Sequence, residues 1–313
     1  MKYIVTGGAG FIGSHIVEEL AKQQHEVVIF DNFFSGKMEN IQPFLKKKNV
    51  TFVQGSITSI SLLKKIFEGA DGIFHEAAIA SVPRSIAYPL ATNEANVTGT
   101  LNVLITARDC SVRKVLFASS SSVYGNTPTL PKREDMTPNP LSPYAVSKLT
   151  GEDYLKVFYE IYGIKTVSLR YFNVFGPRQD PKSEYAAVIP RFITKILSHE
   201  SPTIYGDGGQ TRDFTYVKDV VQANIRAMES DAQGVFNVAY CKRIDLYKLA
   251  SLIMEITGIT VPLVYEPPRT GDVRDSLADI KRAQKAFGYA PEYTVKKGLK
   301  EMIAWYQKNI CPQ

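Results

Sequence analysis

No apolar run in the 313 residues approaches the ~18–20 that a membrane span requires. Cysteine is scarce. Cys110, Cys241 and Cys311 lie far apart, with neither metal-ligand spacing nor a disulfide framework. They read as small core or surface residues of a protein kept in a reducing compartment. No leader is visible: Met1 to Val5 run straight into a glycine motif, without a basic region or cleavage site, so the expectation is a cytosolic protein. Tandem repeats, low-complexity tracts and a disordered tail are missing as well. A concentrated basic patch is also lacking. The net charge is +6, yet its densest run, Lys46-Lys47-Lys48, reads as a solvated turn. Neither nucleic acid nor a membrane is expected as a partner. The surplus favours an anionic small ligand.

Hydrophobic residues make up 44% of the chain, which excludes a disordered polymer. In the first half, strand-like runs at 2–6, 26–31, 50–54, 72–75, 114–118 and 166–170 alternate with helix-length segments at 11–23, 62–67, 91–110 and 144–162. That alternation predicts an α/β fold, a doubly wound parallel sheet of the Rossmann kind. After Gly176 prolines and glycines become frequent, and short helices (187–198, 217–230, 246–257, 295–309) alternate with brief strands. We expect a nucleotide-cofactor domain over 1–175, plus roughly 213–240. A smaller, interleaved α/β substrate domain is expected over 176–212 and 241–313. The site then falls in the cleft between them.

The strand-like Lys2–Thr6 is followed by Gly7, Gly10 and Gly13, a GxxGxxG variant of the dinucleotide fingerprint. Gly7 permits the tight turn, Gly10 admits the pyrophosphate to the backbone amides, and Gly13 lets helix pack on strand. The helix N-terminus presents its positive dipole end to the phosphates. Asp31 ends the second strand, near the ~20-residue spacing expected of a ribose-binding carboxylate. It accepts from a 2′-hydroxyl and repels a 2′-phosphate, which selects NAD over NADP.

Tyr144-Ala-Val-Ser-Lys148 sets a phenol and an amine on one helix face. An ammonium beside the phenol is expected to lower its pKa and make it a base toward a sugar hydroxyl. Ser119-Ser120-Ser121-Ser122 follows an apolar strand, at the carboxyl end that lines a ligand crevice. A hydroxyl there can relay the proton.

Taken together, TGGAGFIGS (6–14), SSSSVYG (119–125), YAVSK (144–148), RYFNVFGPR (170–178), YGDGGQTRDF (205–214) and RTGDVRDSLAD (269–279) resemble the extended short-chain dehydrogenases that act on nucleotide sugars. Within that group the chain is most similar to the UDP-hexose 4-epimerases, especially those accepting N-acetylated sugars. The resemblance implies Tyr144 as base, Lys148 as its partner and Ser120 as the catalytic hydroxyl. It implies NAD contacts from Phe11, Ile12, Asp31, Asn32, Phe33, Ser35 and Gly36. Further contacts follow from Ser56, Ile57, Ala77, Ala78, Ala80, Asn96 and Phe172. Gly55-Ser56-Ile57 departs from the family's usual Gly-Asp-Ile, so an uncharged hydroxyl faces the adenine. For the UDP-sugar it implies Ser81, Asn173, Ala187, Val188 and Tyr205, with Arg212 and Arg269 on the diphosphate and Asp272 on the uridine ribose. Guanidinium forks suit a diphosphate.

The implied reaction is C4 inversion through a 4-keto sugar, interconverting UDP-glucose and UDP-galactose. Ser276, where related enzymes carry a crowding tyrosine, leaves room for an N-acetyl group, and Ser81-Val-Pro-Arg-Ser85 resembles a loop of epimerases acting on acetylated sugars. A 4,6-dehydratase would want Asp-Glu where Ser121 and Ser122 stand, and a UDP-glucuronate decarboxylase a glutamate at Ser122. A glucuronate 4-epimerase remains an alternative, with Arg84 as the added cation. A regulator that senses NAD without chemistry would be expected to lose Tyr144, Lys148 or the serine, and all three are present. The family commonly forms homodimers through the segments 91–110 and 144–162. Leu101, Leu104 and Ile105 could equally face the internal sheet.

Overall fold

The computed structural model describes residues 1–181, 187–267 and 274–310. Its centre is a seven-stranded sheet, every strand parallel to its neighbours. The strands are β1 (Lys2–Thr6), β2 (Glu26–Asp31), β3 (Val50–Gln54), β4 (Gly72–His75), β5 (Lys114–Ser120), β6 (Lys165–Tyr171) and a last strand, Gly234–Val238. Their order is Gly234–Val238, β6, β5, β4, β1, β2, β3. The chain therefore winds outward one way from β1, then returns to β4 and winds the other way. Loops after β1 and β4 diverge there and open a crevice at the carboxyl ends of the strands.

The strands read as continuous apolar runs because both faces are covered. Alternate residues of one strand serve opposite cores: Tyr3 and Val5 pack with one cluster, Ile4 with the other. Helices Phe11–Lys22 and Val217–Glu229 cover the first face with Ile16, Val17, Leu20, Val220 and Ala223. Helices Ile60–Phe67, Gly99–Asp109 and Pro143–Tyr162 cover the second with Leu63, Ile66, Val103, Leu104, Leu155 and Phe158. A third cluster gathers Phe175, Phe192, Ile204, Phe214, Leu249, Leu299 and Met302 from the later helices and short strands.

The segment 91–110 is not one uniform helix. Pro89–Asn93 passes through a π-helical turn, Glu94–Thr98, into Gly99–Asp109. Within that turn the Asn96 carboxamide is held by the Ile79 amide (2.8 Å), the Ile79 carbonyl (3.2 Å) and the Ser147 hydroxyl (3.0 Å). Gly99 has no room for a side chain, since a Cβ would stand 2.5 Å from Ile57 Cδ1. Leu104 is fully buried toward the sheet, with Leu101 and Ile105 packed against the same core. Residues 46–48 lie in the expected turn. Cys110 and Cys241 are free thiols, and Cys311 lies outside the described residues. Among the described residues no helix is long and apolar enough to cross a membrane.

Candidate active site

The glycine loop leaves β1 at Thr6 and turns at Gly7 with φ +69°. A Cβ on Gly7 would lie 2.6 Å from the Ala77 amide nitrogen, and one on Gly13 would strike the Gly7 carbonyl. The loops after β1 and β4 therefore touch through bare backbone. A Cβ on Gly10 would meet only the Gly7 carbonyl, at 3.0 Å, and otherwise open space. Gly10 caps helix Phe11–Lys22 with no side chain bonded to its first-turn amides. This cradle of free N–H groups at a positive helix end fits a pyrophosphate.

From the loop a cleft runs to both sides. At one end the Asp31 carboxylate accepts from the amides of Ala9 (3.0 Å) and Phe33 (2.7 Å). Burial holds this carboxyl above its usual range, against the pull of those amides. Gly36 leaves it open, since a Cβ there would sit 2.8 and 2.9 Å from the two carboxylate oxygens. Phe11, Ile12, Asn32, Ser35, Ser56, Ile57, Ala77, Ala78 and Ala80 line the same cleft, as expected of cofactor contacts. Phe33 does not: with φ +59° its ring turns inward onto Phe52, 5.1 Å between centroids, and Phe34 lines the cleft instead. Asn96 and Phe172 are buried behind the wall, where Asn96 holds the Ile79 backbone and Phe172 packs on Tyr124. Ser81 caps helix Val82–Ala87 by accepting from the Arg84 amide at 3.2 Å.

At the other end stand Tyr144 and Lys148. Ser142 caps their helix by accepting from the Ala145 amide (3.1 Å), and Pro143 opens its first turn. The Tyr144 amide donates to Ser85 Oγ at 3.1 Å, which ties helix Val82–Ala87 to the catalytic turn. Lys148 Nζ donates to the Ala118 carbonyl at 2.7 Å and lies 5.9 Å from the Tyr144 ring centre. Burial lowers this amine to about 8, against the opposing charges of Glu76 and Glu152.

The phenol corrects the sequence-based expectation. Burial raises the Tyr144 pKa, the Glu76 charge raises it further, and a hydrogen bond with Ser120 is what pulls it down. The Lys148 ammonium is not among the groups that lower it here. Desolvation dominates, and the amine lies 5.9 Å from the ring centre with its ammonium donating to the Ala118 carbonyl. Of the serines, Ser120 ends β5, accepts from the Ser122 amide at 3.1 Å and reaches Tyr144. Ser119, by contrast, donates its hydroxyl inward to Glu152 at 2.5 Å.

A second cavity is lined by Asn173, Ala187, Val188, Tyr205 and Arg212. These five expected sugar-nucleotide contacts come from four separate stretches of chain. Arg191 and Gln210, which sequence reasoning missed, line it too. The Asn173 carboxamide donates to the Asp213 carbonyl (3.1 Å) and to Ser276 Oγ (3.2 Å). Arg212 is steadied by Nη1 donating to the carbonyls of Thr211 (2.9 Å) and Arg274 (3.0 Å). Arg269 and Asp272 lie outside the described residues. Arg84 stacks over the rings of Phe34 (4.6 Å) and Tyr88 (5.8 Å), so its guanidinium is engaged beside the loop that follows Asp31. Glu76 and Tyr171 also line the cofactor cleft. Their only sequence signal was their place inside His75-Glu-Ala-Ala78 and Arg170-Tyr-Phe-Asn173.

Residues 3–239 match the model of the NAD dependent epimerase/dehydratase family. A "Putative UDP-glucose 4-epimerase" of Methanocaldococcus jannaschii is 41% identical over 308 residues, 98% of each chain. A UDP-glucuronate 4-epimerase of Thermodesulfobacterium geofontis is 34% identical, covering 98% of this chain and 97% of its own. Among solved structures, a UDP-N-acetylglucosamine 4-epimerase of Methanobrevibacter ruminantium, in complex with UDP-N-acetylmuramic acid, superposes with a TM-score of 0.96 at 44% identity over 99% of both chains.

Proposed function

The chain belongs to the NAD dependent epimerase/dehydratase family and is an isomerase that uses NAD, and we propose that it inverts C4 of UDP-hexoses, of both the plain and the N-acetylated series. The observation that carries this reading is that Tyr144 and Lys148 stand together at one end of a dinucleotide cleft, with Ser120 facing the phenol from the end of β5. Relatives named for UDP-glucose and UDP-N-acetylglucosamine support it.

NAD supplies a reversible hydride acceptor for C4. The protein handles the proton and the geometry. Tyr144 takes the C4 hydroxyl proton and later returns it, with Ser120 bonded to the phenol and able to share the substrate hydroxyl. Lys148, anchored on Ala118, would hold the cofactor ribose. Asp31, left open by Gly36, would take the adenosine ribose, and the Gly7–Gly13 backbone would take the pyrophosphate. Inversion at C4 requires the sugar to present both of its faces in turn, so the nucleotide has to be held while the sugar moves. We assign that grip to the second cavity, with Asn173, Tyr205, Arg212 and, beyond the described residues, Arg269 and Asp272. Residues 1–175 and roughly 213–240 then serve the cofactor, and 176–212 with 241–313 serve the sugar nucleotide.

Two features favour neutral sugars with room at C2. Ser276 is small and bonded to Asn173. Arg84, the cation a glucuronate carboxylate would want, stacks on Phe34 and Tyr88. We also assign a homodimer, because Ile86 (63% exposed), Leu90 (85%), Val146 (49%) and Ile161 (66%) present apolar side chains on neighbouring helices. A monomeric mass in solution rejects that assignment. Turnover of purified enzyme on UDP-glucose, UDP-N-acetylglucosamine and UDP-glucuronate, without added cofactor, tests the whole reading. Turnover of the first two supports it, and activity on glucuronate alone overturns the substrate assignment.

A further inference from the structure

Glu76 directly follows β4. His75 pairs with Phe117 across β4 and β5, so the next step of the register sets Glu76 beside Ala118. Ala118 is the residue whose carbonyl receives the Lys148 ammonium, at 2.7 Å. Glu76 lines the cleft together with Lys148 and Tyr144. From the β6 side the Tyr171 hydroxyl donates to its Oε1 at 2.8 Å, and Tyr171 is itself held by Asn224. The carboxylate is thus pinned in place, and the proton chemistry of Tyr144 and Ser120 makes no use of it. The cleft desolvates this acid at a cost, and a wall that needed only shape would be served by a neutral side chain.

We infer that Glu76, on the wall of the same cleft, is the opposing charge that Lys148 depends on, a positioning residue that keeps the ammonium charged beside the cofactor site. Lys148 is already pulled down to about 8 by burial, with Glu76 the larger of the two charges opposing that fall. The other is Glu152, whose carboxylate is committed to Arg170 and Ser119. Burial raises Glu76 itself to about 7, with Tyr171 and Lys148 pulling the other way. Tyr144 faces the same carboxylate from the helix, and Tyr171 from β6. His75, on β4, is held neutral by burial and by Lys148. Near neutrality Glu76 is therefore the group whose charge changes while Lys148 depends on it.

The inference rests on the Tyr144–Lys148 chemistry and not on which sugar is turned over. The test compares Glu76→Gln, Glu76→Asp and wild type by pH–rate profile, on a UDP-hexose that the wild type converts. Below about pH 6 the wild-type carboxyl is protonated, so Glu76→Gln should match it. Above about pH 7 the alkaline limb of Glu76→Gln should move down by roughly one unit. That is a loss of about tenfold in kcat/KM at the alkaline end. Glu76→Asp should restore the limb. Superimposable profiles overturn the inference, and so does a Glu76→Gln profile depressed equally at every pH, the mark of a purely structural role. A second readout needs no turnover: NMR titration of Lys148 Nζ in lysine-labelled protein should show a lower midpoint in Glu76→Gln. An unchanged midpoint overturns the inference even if no UDP-hexose proves to be a substrate.

Discussion

Arg170 grips Glu152 through two hydrogen bonds of 2.9 and 2.7 Å, each side chain only 4% exposed. Arg170 is on β6, and Glu152 sits one turn beyond Lys148 on the catalytic helix. The same carboxylate accepts from Ser119, the neighbour of Ser120. The Arg170 guanidinium also lies 4.6 Å over the Tyr124 ring. One buried ion pair thus fastens the base-bearing helix to the two strands beside it.

Glu152→Ala would strand the guanidinium without its partner. Removing one member of a buried pair costs about 3–5 kcal/mol, because an uncompensated charge remains. Chemical denaturation should show that loss, far beyond what any surface pair in this chain would give.

Tyr144→Phe should abolish interconversion of every UDP-sugar, at least about 10²-fold in kcat, while cofactor content and circular dichroism stay normal. Ser120→Ala removes the hydrogen bond that lowers the phenol pKa. Its acid limb should move to higher pH, which a kcat profile reads directly. Full activity of Tyr144→Phe would leave the proton transfer without an agent.

Ser276→Tyr places a ring beside Asn173. Turnover of the N-acetylated pair should drop by roughly 10²-fold relative to UDP-glucose and UDP-galactose. Equal losses on both pairs would remove Ser276 as the size gate, and competition kinetics with mixed substrates would show which holds.

His75 is enclosed between Thr6 Oγ1 (2.7 Å) and Thr100 Oγ1 (2.9 Å). Burial, then the Lys148 charge, depresses its pKa from 6.5 to about 3. Folding therefore selects the neutral ring. Its contribution is complete above pH 6.5 and is lost as pH falls toward 3. Within that window a titrating His75 adds about 1.4 kcal/mol per pH unit to the slope of stability. Thermal unfolding of His75→Gln should accordingly show a shallower acid decline than wild type.

Much of the cofactor half was legible from the sequence because its signals are local. Gly7, Gly10 and Gly13 must be glycines where a turn, a phosphate approach and a helix–strand contact follow one another within seven residues. Tyr144 and Lys148 share a face because helical geometry imposes it. Even the orientation of a strand end toward the crevice follows from parallel winding, which is why the serine run 119–122 was visible.

What tertiary structure alone decided is who meets whom, and at what dielectric. Ser119 and Ser120 are indistinguishable in sequence, yet one serves Glu152, 33 positions away, and the other serves Tyr144. Phe33 and Phe34 trade inside and outside through a single positive φ. Glu76 draws its interest from Tyr171, 95 positions away, and from Lys148. Spacing along the chain sets backbone geometry over a few residues. Charge state is set by burial among distant segments, and only the packed fold brings those together.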